Sequence, residues 1–167
     1  SQPAAASDSV DGLLARLLFL AMDLVYGRKR TLSKFKVLEV IARVPYQAWE
    51  HVAYIAMTHM YGEPDFARRI YDFVCEARKQ QDNELWHLLI LEEMIHREGR
   101  REGFLRYRLL PQFMAFFYYH MSWLLYVINP RLSYVLNAHF EDHAEHEYME
   151  FVRENPELED VPFISAF

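Results

Sequence analysis

The sequence predicts an all-α chain, and three observations carry that reading. Apolar residues recur at helical rather than strand spacing through several long segments. Glycines (5) and prolines (7) are few, and strand signals are poor. Residues 109–128, LLPQFMAFFYYHMSWLLYVI, hold no Asp, Glu, Lys or Arg, and their length suits one helix. At 167 residues the chain makes one domain with room for a sizeable core. Hydrophobic residues are 52% and aromatics 16%, while mean hydropathy is only −0.16, which suits a soluble or peripheral protein over a polytopic one. A net charge of −6 without a basic block argues against nucleic acid as a partner. With Cys75 as the one cysteine, an internal disulfide and a thiolate metal site are both excluded.

Residues 1–10, small and polar with three alanines in a row, read as a disordered start, and residues 11–167 as a single helical-bundle domain. Asp11 is placed to cap a first helix over residues 11–26, whose leucines cover more than one stripe. Such a helix is either core or one that lies on a membrane or a partner. Gly27-Arg28-Lys29-Arg30 is a basic turn, set against anionic lipid heads or solvent. A second helix spans residues 33–60, with Pro45 inside it as a kink. Glu39 sits there among apolar residues, and an i,i+4 ion pair with Arg43 accounts for it. Tyr61-Gly62-Glu63-Pro64 breaks the chain before a third helix over residues 65–97.

This third helix carries Asn83-Glu84-Leu85-Trp86-His87. Residues three apart share a helix face, so Glu84 and His87 can aim at one point. In bundle carboxylate proteins two helices each give a Glu and two others each give a Glu-x-x-His to a di-metal centre. Alone, a solvated helix face is the more ordinary explanation of the pair. A second pair, Glu93 and His96, follows nine residues later, about half a turn round, and so cannot share a metal with Glu84. Glu92, Glu93, His96 and Arg97 are expected to face solvent. Residues 97–108 form a charged connection, and residues 109–128 a buried central helix or one half-sunk in a bilayer rather than a span. Asn129-Pro130 ends it, and a last helix runs over residues 131–154. On this helix Glu141, Ala144, Glu145 and Tyr148 share one stripe.

Four blocks together resemble the alternative oxidase family, in particular its plastid terminal oxidases. These are Leu38-Glu39-Val40-Ile41-Ala42-Arg43-Val44-Pro45-Tyr46, Asn83-Glu84-x-x-His87, Tyr126-Val127-Ile128-Asn129-Pro130-Arg131, and Glu141-Asp142-His143-Ala144 with Tyr148 downstream. They are collinear with the family's blocks. The resemblance implies a ferritin-like helical bundle of the alternative oxidase type, C-terminally truncated. It implies a membrane-associated quinol oxidase, with plastoquinol as donor, reducing oxygen to water at a di-iron centre. Glu39, Glu84, His87 and Glu141 become the implied metal ligands, Tyr148 the catalytic tyrosine, and Leu38 and Ala144 the quinol-binding positions. The first helix and residues 109–128 become one apolar face.

The implied cofactor is two iron ions, and the implied partners are membrane lipid (a monotopic, interfacial association), quinol and oxygen, with a homodimer or a larger membrane complex as the assembly. The implied location is the plastid thylakoid membrane, with the mitochondrial inner membrane as the alternative. Two departures stand out. Glu147 occupies a position where mitochondrial members tend to have Thr, and the family's second Glu-x-x-His has no counterpart before Phe167. The chain as given is therefore expected to hold no stable iron pair and to be inactive by itself, with Glu145 the best substitute ligand. The alternative function is a metal-free paralogue serving as a structural subunit of a larger membrane complex.

Overall fold

The computed structural model describes residues 4–158 and 160–166. Every regular element among them is helical: α1 (Ala4–Tyr26), α2 (Leu32–Ala42), α3 (Val44–His59), α4 (Pro64–Arg97), α5 (Leu110–Ile128) and α6 (Pro130–Glu154). A π-helical turn, Leu105–Leu109, leads into α5, and a 3-10 turn, Pro156–Leu158, follows α6. The chain is an all-α helical bundle.

α1 begins at Ala4 rather than at Asp11. Alanine is the strongest helix former, and Ala4-Ala5-Ala6 carry the helix into the stretch expected to be irregular. Residues 1–3 of that stretch lie outside the described residues. α1 ends at Gly27, whose φ of +83° is a left-handed conformation open to glycine at little cost. The expected second helix is two helices. Pro45 lacks an N–H and cannot continue the ladder, so α2 stops at Ala42 and α3 restarts at Val44 with the proline in its first turn, where no bond is lost.

α2 is the spindle of the bundle. All eleven of its residues are buried, including Ser33, Lys34, Lys36 and Glu39. α4 packs along both α2 and α3; α5 lies on both as well, and α6 packs between α5 and α1. Phe35, Val37 and Ile41 of α2 meet Met22 of α1, Ile95 of α4 and Phe140 of α6 in one core. The two buried lysines are charge-matched across helices. Lys34 Nζ donates to Asp23 at 2.5 Å and to the Gly27 carbonyl at 3.1 Å. Lys36 Nζ donates to Glu92 at 2.7 Å and to Glu102.

The central helix is thus α2, and α5 is not buried all round. Among its described residues α5 buries one stripe, Pro111, Ala115, Tyr118 and Ser122. α1 does the same with Ala15, Phe19, Met22 and Tyr26. Their remaining apolar side chains, among them Leu17, Leu20, Leu24, Phe116, Phe117 and Leu124, stay exposed. Between the two helices runs an apolar groove of about 350 Å³, lined by Leu14, Leu18, Met114, Phe117 and Tyr118 among others. No helix among the described residues is long and apolar enough to cross a membrane.

Two surface expectations change. Arg30 of the basic turn is paired with Glu147 at 3.1 Å and Glu154 at 2.7 Å, which draws it away from solvent and onto α6. Glu92 and Glu93 are half-buried, one against Lys36 and the other under the chain that follows α6.

Candidate metal centre

α2, α4 and α6 converge on an open pocket of about 270 Å³. Leu38, Glu39, Glu84, His87, Glu141, Ala144 and Tyr148 all line it, and so do Glu145, Ala42, Phe140 and Met149. Each side chain arrives there for a local reason. Glu39 is on the helix that has no solvent side. Glu84 and His87 lie one turn apart on α4. Glu141, Ala144, Glu145 and Tyr148 form the inward stripe of α6.

Three of the four expected ligands form a tight cluster. One ligand atom each from Glu39, Glu84 and His87 lies within 4.8 Å of the others. His87 Nδ1 is 3.4 Å from Glu84 Oε2 and 3.6 Å from Glu39 Oε2. The longer distance is an ionic contact rather than a hydrogen bond. Glu39 is 3% exposed, and its Oε1 accepts a hydrogen bond from the Tyr148 hydroxyl. Its Oε2 is buried without any hydrogen-bond partner. No Glu39–Arg43 ion pair forms; the Arg43 guanidinium reaches Gln47 instead, at 3.4 Å.

The fourth carboxylate stands apart from this cluster. Glu141, on the same pocket wall, is exposed and accepts bonds from the Tyr46 hydroxyl and from Asn137 Nδ2 at 2.8 Å. Two donors on one oxygen hold it toward α3 and away from Glu39. Asn137 is one turn before Glu141, so its role was readable as an i,i+4 pair. Tyr46 has no local sequence signal for its contact, because its partner is ninety-five residues away.

The electrostatics of the cluster call for a cation. Burial pushes the Glu39 carboxyl up, and Glu84 adds to the push, while His87 and Tyr148 pull it back down. Burial also raises Glu84, but His87 and the hydrogen bonds around it outweigh that and leave it below the usual range. The two carboxylates hold the His87 imidazole protonated, its pKa pushed up to about 10. A proton on His87 thus takes the place of a positive charge that this donor set would otherwise draw from a metal ion. An orphaned buried carboxylate oxygen, a second carboxylate and an imidazole nitrogen within one small sphere fit a non-haem metal.

A family model described as "Alternative oxidase" matches residues 1–163. The protein "Ubiquinol oxidase 4, chloroplastic/chromoplastic" of Arabidopsis thaliana is 37% identical over 142 residues, which cover 84% of this chain and 37% of that protein. The chain therefore spans little more than a third of the length of the curated relative it matches. No solved structure matches it.

Proposed function

The chain belongs to the alternative oxidase family, and from that membership we propose that it works as a membrane-associated quinol oxidase, with plastoquinol as donor and oxygen reduced to water. The observation that carries this reading is the pocket that gathers Glu39, Glu84, His87, Glu141 and Tyr148 from three helices, with Glu39 Oε2 buried without a hydrogen bond. Glu39, Glu84, His87 and Glu141 are two Glu and one Glu-x-x-His of the six-ligand set used by carboxylate-bridged di-metal proteins, and would hold iron together with the second Glu-x-x-His that the family carries. When bound, the metal supplies the redox chemistry that moves electrons from quinol to oxygen.

The chain's own residues prepare the place for it. The Tyr148 hydroxyl fixes one oxygen of Glu39 and leaves the other free for a ligand. Stacking of the Tyr148 ring on Phe35, 4.2 Å between centroids, sets that hydroxyl's direction. Leu38 and Ala144 give the pocket apolar walls against which a quinol ring can lie. The exposed apolar sides of α1 and α5 would rest in the lipid surface, so that a lipid-soluble quinol need not cross water. The name of the Arabidopsis relative supports a plastid location, which for a plastoquinol oxidase is the thylakoid membrane.

The test is iron content measured together with quinol-dependent oxygen uptake, on the chain as given, on a version extended to include the family's second Glu-x-x-His, and on the Glu84→Gln and His87→Ala variants of that version. Bound iron that both substitutions remove, and turnover that disappears with it, supports the proposal. Failure of both forms to take up iron, with the folded protein retained in a large membrane assembly, overturns it in favour of a metal-free structural subunit.

A further inference from the structure

Glu93 presents a contradiction in the fold. It lies about half a turn from Glu84 on α4, so it points away from the metal pocket and the core, yet its side chain is only 14% exposed. The cover comes from the chain beyond α6. After the 3-10 turn at Pro156–Leu158 this segment crosses to α4 and lies over its outer side. The Glu93 carboxylate accepts the Ser165 hydroxyl at 2.8 Å and the Ala166 N–H at 3.1 and 3.2 Å. Arg97, one turn on, bonds to Glu93, donates to the Ile164 carbonyl at 2.8 Å and sets its guanidinium 4.6 Å over the Phe163 ring.

The fastening matters because of what it joins. α4 carries Glu84 and His87, and α6 carries Glu141 and Tyr148. Each of these helices packs on α2, but among the described residues they scarcely touch each other. The open pocket lies between them. Residues 160–166 form the strap that runs from the end of α6 to α4 at the end of the bundle where Lys36 meets Glu92.

We propose that Glu93 and Arg97 are positioning residues that set the width of the metal pocket, by fastening this strap across α4 and so tying α4 to α6. The reading rests on the proposed metal site for its chemistry, but its geometry can be tested without a metal. Spin labels at Asp82→Cys on α4 and His146→Cys on α6, in a Cys75→Ser background, report the α4–α6 separation of the metal-free chain by pulsed electron paramagnetic resonance. Manganese(II) binding, followed by the loss of its free-ion signal, reports the pocket.

Glu93→Ala and Arg97→Ala are expected to broaden the distance distribution and to weaken manganese about tenfold, the scale of losing a partner that orients ligands. Glu93→Gln, which keeps an acceptor for Ser165 and Ala166, is expected to stay close to wild type in both. An unchanged distance distribution in Glu93→Ala and Arg97→Ala overturns the proposal, whatever happens to the affinity. So does Glu93→Gln behaving like Glu93→Ala while Arg97→Ala is silent. If the wild-type chain binds no manganese but the distance still broadens, the strap stands and the metal reading falls.

Discussion

Replacing Tyr148 by Phe isolates one hydroxyl at the most buried point of the candidate site. The ring stays, and with it the stacking on Phe35 at 18° between planes. What goes is the one hydrogen bond to Glu39, a residue 3% exposed whose other oxygen already has none. A hydrogen bond to a charged group contributes about 1.5–3 kcal/mol, and an acceptor left buried without a donor keeps its full desolvation cost. The His87 charge at 3.6 Å compensates in part, which puts the expected loss at about 2 kcal/mol. For a chain of this size that is a fall of about 4–8 °C in Tm. Tyr46→Phe is the matched control. It deletes the same atom from a bond to Glu141, but that carboxylate is exposed and keeps Asn137 at 2.8 Å, so the expected cost is below about 1 kcal/mol. Urea and thermal unfolding of both metal-free variants check the pair. Equal losses, or a larger loss at Tyr46, would refute the view that burial of Glu39 makes the Tyr148 hydroxyl matter.

Lys36→Met should destabilise by about 3–5 kcal/mol in urea unfolding, because it strands the Glu102 carboxylate inside the protein. Adding Glu102→Leu should recover most of that loss, and a single variant as stable as wild type would show the charges to be solvated. In the metal-free chain, His87 should titrate by NMR near pH 10 rather than 6.5. Its folded pKa is raised, so its stabilisation is fully present below about pH 6.5 and disappears as pH rises from there through about 10. Because the ring is 48% exposed, this is a modest slope in the unfolding midpoint, and a flat midpoint across that window would contradict the cluster. Phe116→Glu with Leu124→Glu, both on the exposed side of α5, should release the chain from lipid vesicles in a flotation assay. Unchanged flotation would move the membrane surface elsewhere.

Much of this was legible in the residues themselves. Helical spacing and the breaks at Gly62 and Asn129 located α4 and α6 to within a residue or two. The site was half legible. Glu84 and His87 announce themselves by spacing, but Glu39 sits alone among apolar residues, and only resemblance over a longer block links it to them. The lysines of α2 show why the rest stayed hidden. Lys34 and Lys36 look like ordinary solvated lysines, and the partners of Lys36, Glu92 and Glu102, belong to distant stretches of chain. One signal was available. Residues two apart point to different sides of a helix, so two buried lysines at that spacing need partners on two sides, which places the helix at a centre. Glu93 gave no such hint, because the strap that covers it comes from a segment with no periodicity.

Burial of α2 on every side has a consequence for how the molecule comes apart. Lys34 is neutralised from α1, Lys36 from α4 and the connection before α5, and Glu39 from α4, while the Tyr148 hydroxyl of α6 donates to Glu39. Detaching any one of these neighbours uncovers a charge whose partner leaves with it. Shedding α1, α4 or α6 alone while α2 stays in place is therefore costly. The amide protons of α2 should exchange with deuterium only through global unfolding, at one common rate, while those of α5's exposed side and the ends of α1 exchange by local fraying. A helix with no surface of its own ties the full opening of α1, α4 and α6 to its own.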